Sequence, residues 1–510
     1  MRNVQKLVVI LLILLLTLSA CSQELAPVTQ EPETGLDHGS VRIIQEDGGP
    51  SQGGVLNLFM TNPDTLNPLT TKNPTVRHLS SFVFDALFIE ASEGDLKNGL
   101  VDSYTFSDDA LIVDIVLKDN ILFHDGGTLT ADDVAFTIQS IKEAGARSFY
   151  YDYVSSIDSV KTVTRLGLRM VLKEADSEIL NKLTFPIVPR HVFKDWPIEG
   201  HSDSMKLIGT GPFKFKAYEE GEIALLRNDS WWYLEDPQGL SHPIWLDGIS
   251  FKVYPDESYR MEAFQKQEID IAYMEEGHME GYAQRTDLYF KQYESNILEF
   301  LAISPVGTEN SPVSQGAFRS ILLNYLMGYE SLIPVKAGKL VLPEGMSEMG
   351  NSRGDTLKSL LEAGFSYDQE KNVLTYQKNG IKIPVKLSLK YNGLNGERKS
   401  VSQWVTNALF EIGIQVNADN TTPSEQQALV LNGRYDLMLL GCRIPYYTDI
   451  QGALKLASET LKMSGQPSTL LPLYRLYGAV LYQNNLRGPR EPVWKNIYNG
   501  WTEWYLVQKQ

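Results

Sequence analysis

The 510-residue chain is poor in cysteine, and Cys21 and Cys442 are the only two. Such a pair excludes a disulfide scaffold and any thiolate-rich zinc or iron–sulfur site. Histidine is scarce and scattered, at positions 38, 78, 124, 191, 201, 242 and 278, and no H-E-x-x-H occurs. No second histidine stands at metal-ligand spacing from His124, so a metal reading of that residue has nothing to build on. The sequence has no P-loop and no G-x-G-x-x-G, and it offers no nucleophile–base arrangement. Beyond the N-terminus no run approaches 18 apolar residues, so the remainder carries no membrane-spanning helix. Positive charge is in deficit, with 46 Lys and Arg against 63 Asp and Glu, a net charge of −17. An acidic field of that size repels phosphate backbones and argues against nucleic acid as a partner.

What is present is an ordinary globular composition, 43% hydrophobic and 21% charged. At about 150 residues per domain, the length predicts two or three domains with sizeable cores. At the N-terminus Arg2 and Lys6 precede the apolar run Leu7 to Leu16, and Leu18-Ser19-Ala20-Cys21 follows. An apolar core of about 14 residues is short for a spanning helix. The block resembles the lipobox of bacterial lipoproteins, which implies a signal peptide over 1–20 and a lipid on Cys21. Residues 22–52 are rich in Glu, Gln, Pro, Gly and Thr and read as a flexible tether. Within them Gly49-Pro50-Ser51-Gln52-Gly53 matches G-x-S-x-G, but a nucleophile elbow needs a strand before the serine and a helix after it.

From Gly53 onward, strands and helices alternate, so the fold class is α/β. Val55 to Phe59 reads as a strand, and Thr75 to Leu87 has helical apolar spacing at Leu79, Val83 and Leu87. Ala110 to Leu117 alternates as a strand. Thr130-Ala131-Asp132-Asp133 opens a helix through Lys142, with a threonine N-cap and acids at the positive end of the dipole. Asn392-Gly393 and Asn395-Gly396 mark a turn before a helix from about Glu397 to Ile412. Ile414 to Asn417 and Tyr435 to Leu440 are further strands.

Several blocks, taken in order, resemble family 5 extracellular solute-binding proteins, the oligopeptide-, dipeptide- and nickel-binding lipoproteins of ABC importers. Leu117 to Val134, with Phe123-His124-Asp125-Gly126-Gly127 at its centre, is similar to the family's most specific motif. Phe185-Pro186-Ile187-Val188-Pro189-Arg190-His191, Gly209-Thr210-Gly211-Pro212-Phe213, Arg227-Asn228 with Trp231-Trp232, and Ile269-Asp270-Ile271 follow in the family's order. So do Phe300 to Ser304, Phe318 to Tyr325, Arg398 to Ile414 and Tyr435-Asp436. The resemblance implies a bilobal periplasmic-binding-protein-like fold (type II, cluster C) with an inserted extra domain. Domain I would comprise 53–87, 205–275 and 466–510, domain II 88–204, and domain III 276–465. The ligand would lie between domains I and III.

The departures fall where that ligand would be. Peptide-binding members carry Gly-Trp after the Tyr-Asp strand, then an aspartate for the ligand's α-ammonium group. Here the segment runs Gly441-Cys442-Arg443-Ile444-Pro445-Tyr446-Tyr447-Thr448-Asp449. Cys442 replaces the tryptophan, Pro445 stands at the aspartate position, and Asp449 could serve only in a differently shaped loop. The resemblance therefore makes Cys442, Arg443, Tyr446, Tyr447 and Asp449 ligand-facing candidates, with Asn73 and Thr75 on the domain I side. Each also has a plainer reading as packing or surface. The implied function is a non-enzymatic, monomeric, lipid-anchored binding protein outside the cytoplasmic membrane. It takes up a peptide or peptide-like solute for an ABC permease and needs no cofactor and no metal. The alternative is a receptor or structural lipoprotein that keeps the fold without transport.

Overall fold

The protein is described from a computed structural model. It covers residues 49–92, 95–195, 207–234, 243–274, 279, 281–329, 333, 335, 338–341, 351–393, 395–432, 435–461 and 468–507. Residues 1–48, where the expected signal peptide, Cys21 and most of the expected tether fall, lie outside these residues. The strands used below are, in chain order, β1 (Val55–Thr61), β2 (Val101–Phe106), β3 (Ile112–Leu117), β4 (Ile157–Thr162), β5 (Gly167–Leu172), β6 (Phe213–Glu219), β7 (Glu222–Arg227), β8 (Gly248–Tyr254), β9 (Ile271–Met274), β10 (Leu288–Ile303), β11 (Gly338–Leu340), β12 (Lys386–Tyr391), β13 (Gln415–Asn420), β14 (Leu437–Arg443) and β15 (Thr469–Gln483). The helices are α1 (Pro74–Val83), α2 (Ala131–Ala144), α3 (Gly316–Gly328), α4 (Gly396–Glu411) and α5 (Ile450–Thr460).

Three sheets organise the chain. A four-stranded sheet has the order β1-β8-β7-β6, and β1 pairs parallel to β8. A second four-stranded sheet, β2-β3-β5-β4, is antiparallel throughout. The third has seven strands in the order β9-β15-β10-β14-β12-β13, with β11 also pairing to β15.

Helix starts follow local chemistry. Asn73 caps α1 by accepting the Thr75 N–H, and Pro74 takes the first turn, where no N–H donor is needed. Thr130 and Asp133 form a capping box on α2. The sequence predicts that α1 continues to Leu87, but it stops at Val83 and Phe84 is extended. The reason is tertiary: the Val83 carbonyl accepts the Gly211 N–H, so it serves a crossing chain. Ser51 precedes β1 and lies in no strand–turn–helix, which removes the G-x-S-x-G match from consideration.

The architecture is a bilobal α/β fold, as the packing of the two longest strands makes plain. One buried apolar core draws on β1–β9, Tyr289, Tyr293 and Leu298 of β10, Val480 and Tyr482 of β15, and the C-terminal Trp494, Tyr498 and Trp504. A second core draws on Leu301 and Ile303 of β10, Leu471 to Leu476 of β15, α3, α4 and β12. The changeover thus falls inside β10 and β15 themselves.

Candidate functional site

The motif blocks between 117 and 232 meet at one place. The His124 backbone N–H donates to the Gly209 carbonyl at 2.9 Å, its Nε2 lies 2.9 Å from the Gly211 carbonyl, and its Nδ1 lies 3.3 Å from the Gly209 N–H. Burial pushes this imidazole down to about 4, so it is neutral at pH 7. A side chain at Gly209 would come within 2.0 Å of the Val83 carbonyl oxygen, so glycine is required for the chains to cross. Beneath the crossing, buried Asp85 accepts hydrogen bonds from Trp232 (2.7 Å), Thr210 (2.9 Å) and Trp231 (3.4 Å), and burial raises its carboxyl pKa. Asp125 and His191 pair at 2.7 Å on the rim. These residues seat the second sheet on the first. Their polar atoms are engaged with one another.

A different set of side chains gathers at the end of β14. Cys442 pairs with Leu298 of β10 and is half-buried, and burial beside Glu299 pushes its thiol up to about 11. Arg443 Nη1 donates to Asn296 Oδ1 at 3.3 Å, and the Ile444 N–H donates to the Asn296 carbonyl at 2.7 Å. The Tyr446 ring stands 4.7 Å from Trp494 and 5.6 Å from Phe149. Tyr447 lies 5.8 Å from Tyr153, and burial together with nearby Asp152 raises its phenol pKa. The Arg77 guanidinium sits 3.9 Å over the Phe149 ring, and Lys495 sits 5.3 Å over Trp494 while pairing with Glu90. Tyr153 and Trp494 are buried in the first core, and Phe149, Tyr446 and Tyr447 are half-buried against it.

The other predicted residues occupy structural posts nearby. Asn73 caps α1 and donates from Nδ2 to Thr61 Oγ1 at 2.8 Å. Thr75 is fully buried and accepts the Thr61 N–H. Asp449 is the N-cap of α5, accepting the Gly452 N–H at 2.8 Å. Tyr446 and Tyr447 therefore share one aromatic cluster, and α1 reaches it through Arg77, one turn beyond Asn73. Arg77, Phe149, Tyr153, Asn296 and Trp494 were not singled out from the sequence. The run Phe149-Tyr150-Tyr151-Asp152-Tyr153 was the signal that could have flagged part of the set.

Behind the cluster, Arg398 and Glu299 form a buried two-pronged ion pair (2.7 and 2.9 Å) lying over Gly441, where an added Cβ would meet Glu299 Oε1 at 2.4 Å. Among the described residues, no group of three or more His, Cys, Asp or Glu side chains could hold a metal ion. A cavity of about 430 Å³ between α2 and β4 is lined by Asp132, Lys142, Asp158 and Arg190 and contains none of the predicted site residues.

Residues 95–320 match the model of the bacterial extracellular solute-binding proteins, family 5, middle region, and the chain is similar to that family. It is 28% identical over 284 residues to the oligopeptide-binding protein AppA of Bacillus subtilis strain 168, covering 51% of this chain and 46% of that protein. The match thus spans about half the length of that relative. It is 25% identical over 443 residues to the nickel-binding periplasmic protein of Escherichia coli K12, covering 80% of this chain and 81% of that protein. The fold is similar to that of a periplasmic murein tripeptide-binding protein in its unliganded open form, with a TM-score of 0.65, 15% identity, and 93% and 99% of the two chains covered. It is also similar to an ABC transporter substrate-binding protein of Listeria monocytogenes, with a TM-score of 0.61, 20% identity, and 90% and 100% covered.

Proposed function

We propose that this protein is the solute-binding lipoprotein of an ABC importer, and that it encloses a peptide or peptide-like solute between two lobes for delivery to a membrane permease. In this reading domain I comprises 53–87, 205–275 and 466–510, the inserted domain 88–204, and domain III 276–465. Cys21 carries the lipid that holds the protein at the outer face of the cytoplasmic membrane.

The observation that carries the reading is the meeting of Tyr446 and Tyr447 with Phe149, Tyr153, Trp494 and Arg77, side chains from all three proposed domains. The half-buried rings of Phe149, Tyr446 and Tyr447 can stack on peptide planes or side chains, backed by buried Tyr153 and Trp494. Relatives named for oligopeptides, nickel and glutathione mark the range of solutes. Within that range, two features favour a solute that presents no free α-ammonium group to this loop. Pro445 has no carboxylate, and the Asp449 carboxylate is committed to the N-terminus of α5. Arg443, in the loop, and Arg77, over the Phe149 ring, both supply positive charge.

The test is native mass spectrometry of gently purified protein, followed by binding of a tripeptide library and its N-acetylated counterparts to wild type and Asp449→Asn. Asparagine also caps helices well, so this variant removes the charge and keeps the fold. Indifference to both changes is expected. Tight binding of free peptides, lost on acetylation and in Asp449→Asn, would restore ordinary recognition of a peptide amino terminus.

A further inference from the structure

We propose that Arg475 is a positioning residue for the loop that begins at Arg443. The proposal rests on the reading of that loop as ligand-facing, but its core can be tested without any ligand. β10 and β15 run antiparallel, and their register slips twice, between Glu294 and Leu298 and again between Glu299 and Phe300; the first slip is the larger. Glu294 pairs with Tyr477, whereas the next pair is Leu298 with Arg475. Three residues of β10, Ser295, Asn296 and Ile297, therefore stand against Leu476 alone. A bulge of this size takes backbone carbonyls out of the ladder and needs donors from elsewhere.

Arg475 supplies them. Its Nε donates to the Ser295 carbonyl at 2.9 Å and its Nη2 to the Glu294 carbonyl at 3.1 Å, while its Nη1 meets the Glu294 carboxylate at 3.1 Å. Lys339 of β11 holds the other oxygen of that carboxylate at 2.5 Å. Arg475 is 2% exposed. A cation so deeply buried persists only where its donors are met, and here one fork spans two carbonyls and a carboxylate.

The bulge has a second side. Asn296, its middle residue, accepts the Ile444 N–H on its carbonyl (2.7 Å) and Arg443 Nη1 on its Oδ1 (3.3 Å), and it donates from Nδ2 to the Ile444 carbonyl (3.4 Å). The segment braced by Arg475 is thus the segment that holds the first two residues of the loop. The rung Arg475–Leu298–Cys442 leads from the brace to a thiol in the same sheet. The bulge also lies where the two cores change over along β10 and β15, so the brace ties loop position to the strands shared by both lobes.

The experiment uses the full chain carrying Cys21→Ser, in which Cys442 is the only cysteine. The rate of reaction of Cys442 with an aromatic disulfide reagent is measured without ligand, across low urea concentrations. Arg475→Lys keeps the charge but cannot span the bulge, and it should label about tenfold faster with little urea dependence, the mark of local opening. Glu294→Gln should label about threefold faster by the same route, and it decides the matter if the lysine variant does not fold. An unchanged rate, or a faster rate that rises with urea as steeply as global unfolding, would reduce Arg475 to a stabiliser of the core and overturn the proposal. Native mass spectrometry of the same variants separates the two readings. Faster labelling with undiminished retention of co-purified solute would leave the brace standing and remove the loop from the ligand site.

Discussion

The acid response of the motif junction can be worked out from one side chain. The Gly209 N–H can only donate, so His124 accepts it on Nδ1 and carries its proton on Nε2, which donates to the Gly211 carbonyl. Protonating Nδ1 would destroy one of these bonds inside a buried site. Burial is the largest cause of the fall from 6.5 to about 4, and the Lys214 charge adds to it. The unfolded chain takes up this proton below pH 6.5, whereas the folded chain refuses it until about pH 4. The stabilisation is therefore full above pH 6.5 and is lost as pH falls through that window. The whole difference corresponds to about 3 kcal/mol, of which about 2 kcal/mol is gone by pH 5. Urea unfolding followed by tryptophan emission, at pH 7.5, 6 and 5, measures it. Buried His78, lowered to about 3, contributes in the same direction, so the comparison must be with a variant. His124→Gln keeps a donor for Gly211 and loses the Gly209 bond, at about 1 kcal/mol at pH 7.5. Its further loss between pH 7.5 and 5 should be about 2 kcal/mol smaller than in wild type. An equal loss in the two proteins would refute the assignment.

Other outcomes follow from single contacts. Arg398→Met removes both arms of the ion pair from the buried Glu299 carboxylate and should cost about 3–5 kcal/mol in urea unfolding, and replacing both residues by apolar ones should cost much less. Gly441→Ala drives a methyl group into the same ion pair and should lower stability by about 1–3 kcal/mol. Tyr446→Ala removes ring contacts with Trp494 and Phe149, at about 1 kcal/mol or more per aromatic pair, and should shift tryptophan emission. Cys21→Ser should move the protein from the membrane fraction to the soluble fraction, and retention at the membrane would refute the lipid anchor.

The sequence was most legible where structure is set locally. Thr130 and Asp133 announce α2 because a capping box lies within four residues. Asn395 and Gly396 mark the start of α4 for the same reason, with the asparagine accepting the Glu397 and Arg398 N–H groups. Legibility ended where distant segments decide. The end of α1 depends on Gly211, more than a hundred residues away. β10 and β15 pack one core at one end and another at the other, so no simple alternation identifies them, and only Phe300 to Ser304 stood out. The aromatic cluster draws on positions 77, 149, 153, 446 and 494, and no periodicity links them.

That contrast bears on what the family motifs say. His124, Gly209, Gly211, Asn228 and Trp232 carry the resemblance, and their polar groups are spent on one another and on Asp85. They specify how the inserted sheet sits on the first sheet, a requirement shared by any solute this fold could take. A chain can keep all of them and change its ligand freely. Information about the solute must then reside in segments that the motifs leave unconstrained, and Gly441 to Asp449 is one such segment. Its glycine admits an internal ion pair, its proline withholds a carboxylate, and its aspartate starts a helix. Its two tyrosines are left to meet rings and a guanidinium from the opposite side. In the proposed reading, the chemistry offered there is stacking and positive charge. In that reading Pro445 stands where the resemblance puts the aspartate, and the Asp449 carboxylate is engaged at the start of α5.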